Sequence, residues 1–228
     1  MTGKEADYLM EGIGHVLPGL NLDLSDSISS MAGIRPVLSR GKSLAASKES
    51  REHVVWQDKG LVTVTGGKLT TFRLLARDAL KAAKPFLPVR EPGPAVPEDH
   101  LPLNRISSLR VPGRTVERIL GRYGPKAGSM ILGQEESLLS PVENTPDIWA
   151  EIRHAAEYED IHHLSDLMLR RVRIGLLLPK GGVRLLDRVE SLCSPFLSWD
   201  KERWEKEKKD YADLWQACYS PPETLKEP

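Results

Sequence analysis

Cysteine is scarce in this sequence, with only Cys193 and Cys218 in 228 residues. Two cysteines in a chain of this size exclude a disulfide framework and read as reduced, small apolar residues. An excess of one charge is missing as well, because 32 basic residues balance 32 acidic ones. That balance argues against nucleic-acid binding and against strong electrostatic steering of a partner. Long apolar runs are absent: none reaches the length needed to cross a bilayer, and the opening "MTGKEADYLM" has neither the basic nor the apolar region of a signal peptide. The expectation is a soluble or peripheral intracellular protein. Histidine clusters are missing too, since the one close pair, His162-His163, would point in different directions on a helix, so no metal site is expected.

Proline, by contrast, is concentrated. Pro85, Pro88, Pro92, Pro94, Pro97 and Pro102 fall in "PFLPVREPGPAVPEDHLP", a density that neither a helix nor a central strand tolerates. Residues 85–102 are therefore read as a linker between residues 1–84 and residues 103–228. Before the linker the pattern is mixed. A helix is expected near residues 4–15 and a strand around "SISSMAGIRPVL". A hairpin is expected from "HVVWQ" and "LVTVT" across Asp58-Lys59-Gly60, and a helix runs from Lys68 to Lys84. This half has three or four strands and no series of strand–helix–strand units, too little to form a sheet domain by itself. After the linker the pattern is helical. Val116, Ile119, Leu120 and Tyr123 form one stripe, Ile152, Ala156, Ile161, Leu164, Met168 and Val172 a second within a long helix over 148–178, and Trp204, Tyr211, Trp215 and Cys218 a third within a helix near 199–218. Asp166 stands four residues before Arg170, as an ion pair requires. The run "KERWEKEKKD" reads as a solvated face.

The stretch "TVTGGKLTTFRLLARDAL" carries the chemistry. Thr63 to Thr65 have the β-branched character of a strand, whereas Leu69, Phe72, Leu75, Ala76, Ala79 and Leu80 recur at helical spacing, so Gly66, Gly67 and Lys68 lie at a helix N-terminus. Glycines leave room for a ligand, and the first helical turn offers unpaired N–H groups and the positive end of the helix dipole. A tight turn that binds nothing fits the same residues. Three basic residues, Arg35 in "AGIRPV", Arg51 in "SREH" and Lys68, stand at turns or strand ends. Together they would suit a small phosphorylated substrate, and separately they would be surface ion pairs.

In order along the chain, "DYL", "AGIRPV", "SREHVV", "GLVTVTGGKLTTFRLLARDAL", "RYG", "DLMLRRVRIG" and "WEKEKKDYADLW" resemble the C-terminal part of FAD-dependent, aerobic-type glycerol-3-phosphate dehydrogenases, flavoproteins of the amino-acid-oxidase type. The resemblance implies an α+β remnant of the FAD/substrate domain in residues 1–84, made of hairpin strands plus a helix. A mostly α-helical C-terminal domain in 103–228 comes after it, so the chain is predominantly helical. It implies that Gly66, Gly67, Lys68, Leu69 and Thr70 face FAD, and that Arg35, Arg51 and Lys68 hold the phosphate and hydroxyl region of glycerol 3-phosphate. Oxidation of that substrate to dihydroxyacetone phosphate, with electrons passed to a quinone, is the implied activity. The implied location is cytoplasmic, with peripheral contact to the cytoplasmic membrane, and a homodimer is a possible assembly. His53 reads as a packing or supporting residue.

Three departures from the family pattern stand out. Met31 replaces a common aromatic and Phe72 a frequent tyrosine. No strand-linked G-x-G-x-x-G is present, since "EGIGHVLPG" has neither the strand nor the spacing. The expectation is therefore a C-terminal portion that does not bind FAD alone and is inactive by itself. Two other readings stay open: a related flavin oxidase of amino or hydroxy acids, and a non-catalytic helical docking module.

Overall fold

A computed structural model describes residues 1–34, 52–88 and 111–222. Eight α-helices and one two-stranded antiparallel sheet are found among these residues. The chain divides into two compact units, one made of Met1–Ala32 with Glu98–Pro228 and one made of Gly33–Pro97.

The larger unit is helical. Its first helix, α1 (Gly3–Val16), starts at Thr2, whose hydroxyl accepts from the Glu5 N–H while the Glu5 carboxylate accepts from the Thr2 N–H at 2.8 Å. Only Ala6 of this helix is buried, and Tyr8, Leu9 and Val16 are exposed. The strand expected around "SISSMAGIRPVL" is not present in its described part, 27–34. Those residues have no strand partner there, because their hydrogen bonds go to the helical unit instead: Ser30 N–H donates to Tyr219 O at 2.8 Å and Ser29 Oγ to Leu176 O at 2.7 Å. Polar groups already satisfied by a helical surface need no strand ladder.

From residue 111 on, α3 (Gly113–Tyr123), α4 (Ala127–Ile131), α5 (Glu136–Leu139), α6 (Trp149–Tyr158), α7 (Leu186–Cys193) and α8 (Lys201–Cys218) enclose one core. Ile119, Ile131, Ile152, Leu164, Leu167, Met168 and Ile174 have no exposed surface. The single helix expected over 148–178 is instead broken. α6 stops at Tyr158, Glu159 is extended, and Asp166 accepts the N–H groups of His162 and His163 at 3.2 and 2.8 Å, capping a new start. The new start is a π-helical turn, Asp166–Arg171, closed by Val172 N–H to Leu167 O at 3.0 Å, and Arg173 then takes a left-handed conformation with φ +61°. The apolar stripe survives the break, since Ile152, Ala156, Ile161, Leu164, Met168 and Val172 are all buried.

α8 is pinned by its aromatics. Tyr211 donates to Gly181 O at 2.5 Å and Trp215 Nε1 to Gly175 O at 2.8 Å. Gly181 has φ +69°, and a Cβ there would stand 2.6 Å from the Trp215 ring, so both conformation and contact require glycine. Cys218, expected to face the core, lies one turn past this anchor and is exposed. Cys193 is buried, and its surroundings push its thiol up to about 12.

The smaller unit holds the expected hairpin, β1 (Val54–Asp58) and β2 (Leu61–Thr65), with Val54 opposite Thr65 and Asp58 opposite Leu61. Helix α2 (Phe72–Ala83) packs on it after a 3₁₀ turn, Leu69–Thr71. Pro85 ends α2 as expected, within a second 3₁₀ turn, Lys84–Phe86.

Candidate functional site

The β2–α2 corner turns on two left-handed glycines, Gly66 at φ +78° and Gly67 at φ +86°. A Cβ on Gly67 would come within 3.0 Å of Leu75 Cδ1 and 3.4 Å of His53 Cβ, so this glycine lets the corner close onto its own helix. Lys68 comes next, in extended conformation. Its N–H is not open to a ligand: it donates to Thr71 Oγ1 at 3.1 Å, and that hydroxyl donates to Lys68 O at 3.0 Å. The N–H groups of Gly67, Leu69 and Thr70 have no acceptor among the described residues. Because the first turn is 3₁₀ and not α-helical, these three donors belong to the corner and not to a regular helix start.

An open cavity of about 410 Å³ borders this corner, lined by Glu52, His53, Lys68, Thr71 and Leu74. His53 Nε2 lies 3.0 Å from Asp78 Oδ2, so α2 orients the imidazole. His53 thus touches both the cavity and a carboxylate of α2. Arg35 and Arg51 lie outside the described residues.

A second polar centre, in the helical unit, has no counterpart in the sequence expectations. Glu151 is fully buried, Asp147 nearly so, and two arginines of α3 meet them. Arg118 grips Glu151 with both terminal nitrogens, one at 2.8 Å, reaches Asp147 at 3.3 Å and donates to Pro146 O at 2.8 Å. Arg122 reaches Asp147 at 3.2 Å and also donates to Arg171 O, tying α3 to the π-helical turn. Burial, with the Glu151 charge beside it, holds the Asp147 carboxyl above its ordinary range despite Arg118, Arg122 and Arg173. The sequence does carry a faint signal: arginines at 118 and 122 and carboxylates at 147 and 151 share the four-residue spacing that puts two side chains on one helical face.

Nearby, Tyr123 and Tyr158 flank His154, with ring centroids at 5.4 and 4.9 Å, and burial lowers the imidazole's affinity for a proton. Among the described residues no group of three or more His, Cys, Asp or Glu could hold a metal ion, and no helix is long and apolar enough to cross a membrane.

The helical unit and the sequence together define a class. Residues 91–204, half of the chain, match the model of the C-terminal domain of alpha-glycerophosphate oxidase, and the chain belongs to that family. The curated relatives it matches are named glycerol-3-phosphate dehydrogenases. It is 32% identical to the glycerol-3-phosphate dehydrogenase of Mycobacterium leprae (strain TN) over 228 residues, covering 92% of this chain and 38% of that protein. The mitochondrial glycerol-3-phosphate dehydrogenase of Arabidopsis thaliana is 28% identical, with 89% of this chain and 37% of that protein covered. A glycerol-3-phosphate dehydrogenase of Synechocystis is 26% identical, with 94% and 42% covered. The chain thus spans about two fifths of the length of these relatives. No solved structure matches it significantly.

Proposed function

We propose that this chain supplies part of the substrate site of a flavin-dependent enzyme that oxidises glycerol 3-phosphate to dihydroxyacetone phosphate. The observation that carries the reading is the strand–Gly–Gly–Lys–helix corner, with three N–H donors that have no acceptor among the described residues and a lysine lining a cavity. The corner suits the edge of a flavin ring. Gly66 and Gly67 present no side chain, and the N–H groups of Gly67, Leu69 and Thr70 would stabilise negative charge placed against them. The chemistry FAD supplies when bound is acceptance of the hydride from C2 of the substrate, with a quinone as the later acceptor. Lys68 contributes a point charge for the substrate phosphate, His53 is held in place by Asp78, and Arg35 and Arg51 supply the planar grips for the same group. In this reading residues 1–84 contribute to the FAD/substrate domain, with 1–32 of them also part of the helical compact unit, 85–102 link it, and 103–228 form the helical domain. The chain has no G-x-G-x-x-G segment, so FAD affinity and turnover depend on sequence beyond it. A cytoplasmic setting with peripheral membrane contact, and a homodimer, belong to the same reading.

Calorimetric titration of the chain with glycerol 3-phosphate and, separately, lactate tests this. Preference for the phosphate is expected, with Arg35→Ala, Arg51→Ala and Lys68→Ala each weakening binding about tenfold. A preference for lactate would instead favour an oxidase of hydroxy or amino acids. Added FAD is expected to show no bound-flavin spectrum; a flavin that glycerol 3-phosphate bleaches would mean that the chain is self-sufficient.

A further inference from the structure

The helical unit contains a cavity of about 520 Å³ that the proposed reaction does not use, at the meeting of α3 and the segment after the π-helical turn. Three arginines, Arg118, Arg122 and Arg173, line it together with the apolar Leu176, Leu177 and Val172 and with Gly121. The volume is that of a small-molecule site.

Charge decides what kind of molecule fits. Arg118 and Arg122 are held by the buried carboxylates of Asp147 and Glu151, which fix their heads at the cavity edge and neutralise two of the three positive charges. Arg173 is exposed and its guanidinium makes no hydrogen bond or contact ion pair among the described residues; only its field reaches Asp147, so its donors stay open, and three guanidiniums against two carboxylates leave one formal positive charge. Its backbone sits at φ +61°, a conformation that costs an arginine and that only surrounding structure or function maintains. A dianion would meet the field of Asp147 and Glu151, whereas a single negative charge matches the surplus. The apolar wall has no use for a bare ion.

We propose that this cavity binds an amphiphilic monoanion, a carboxylate on a short alkyl chain, with the carboxylate on Arg173 and Arg122 and the chain along Leu176, Leu177 and Gly121. The site is separate from the β2–α2 corner and does not rest on the flavoenzyme reading.

Two substitutions separate binding from folding. A Cβ at Gly121 meets nothing within 4 Å, so the backbone there accepts a side chain; Gly121→Leu places apolar bulk on the cavity lining, and leucine is the better helix former. Arg173→Gly removes the surplus charge from a position where glycine is at ease. Both variants are expected to melt at or above the temperature of the unaltered chain. Calorimetry with octanoate, octanol and inorganic phosphate then reads the site. Octanoate should bind the unaltered chain, and octanol and phosphate should bind at least about tenfold more weakly. Either substitution should weaken octanoate by about tenfold or more. Absence of octanoate binding, equal binding to both folded variants, or phosphate binding as tightly as octanoate would each overturn the proposal.

Discussion

The helical unit and the hairpin unit both carry apolar side chains and use them to opposite effect. In the first, Trp204, Tyr211 and the isoleucines of α3, α4 and α6 are sealed in one core. In the second, no described residue is buried: Leu69 is 89% exposed, Leu61 66% and Leu80 63%. The difference is architectural. A helix bundle closes on itself, whereas two strands and one helix make two layers too small to enclose anything and leave the outer apolar faces in water. The apolar side chains of α2 and the hairpin are those a further layer would cover. Stability therefore resides in the helical unit, and the candidate flavin corner rests on the weaker one.

The comparison is broken most severely by attacking the stronger unit. Arg118→Ala leaves the Glu151 carboxylate, fully buried, without its two-pronged partner, keeping the Ile148 N–H at 3.0 Å, Arg122 at 3.6 Å and the Tyr123 hydroxyl. Removing one partner of such a buried pair costs about 3–5 kcal/mol. Thermal unfolding should drop by roughly 10 °C on that basis. Restoring neutrality by combining Arg118→Met with Glu151→Leu should recover most of the loss, because the cost lies in the stranded charge. A single substitution that leaves the melting temperature unchanged would show that Glu151 finds water or another partner.

Legibility in the residues alone divides along the same lines. The hairpin, the helix before Pro85, α8 and the apolar stripes follow from periodicity, which local sequence records directly. The break after Tyr158 is hidden because Asp166 caps a new turn while the buried stripe continues in phase across it. The pairing of Arg118 with Glu151 spans 33 residues and depends on how two helices cross. At the candidate site, Gly66 and Gly67 are legible as a corner. That Thr71 takes the Lys68 N–H is legible only in outline, from a hydroxyl three residues on, and the reason Gly67 must be glycine depends on where Leu75 lands.

Gly67→Ala sharpens the contrast at smaller scale. Forcing alanine to φ +86° costs about 1–2 kcal/mol, before any contact with Leu75 is counted. Hydrogen exchange is the fitting measurement, since it reads each unit separately. The amides of β1 and β2 should lose about tenfold in protection, and those of α6 and α8 should not change. Equal loss in both units would mean that they unfold together and that stability is not divided between them in this way.

The smallest effect tests the π-helical turn. Asp166 is partly buried, and burial alone would raise its carboxyl; the N–H groups of His163 and His162 and the Arg170 guanidinium outweigh it and hold the carboxyl below its ordinary range. A carboxyl whose folded value lies below its unfolded one stabilises the fold above the unfolded value, near pH 4, and loses that contribution as pH falls through the lowered folded value. Asp166→Asn should therefore cost about 1 kcal/mol at neutral pH, the ordinary worth of a helix cap. Denaturation of the two proteins across an acid series should show that gap narrowing below about pH 4 as the native carboxylate takes up its proton. The protection of β1 and β2 should be the same in both proteins throughout. A gap that stays constant into acid would mean that the aspartate acts here by shape and not by charge, leaving the break after Tyr158 to the packing of Leu164 and Leu167.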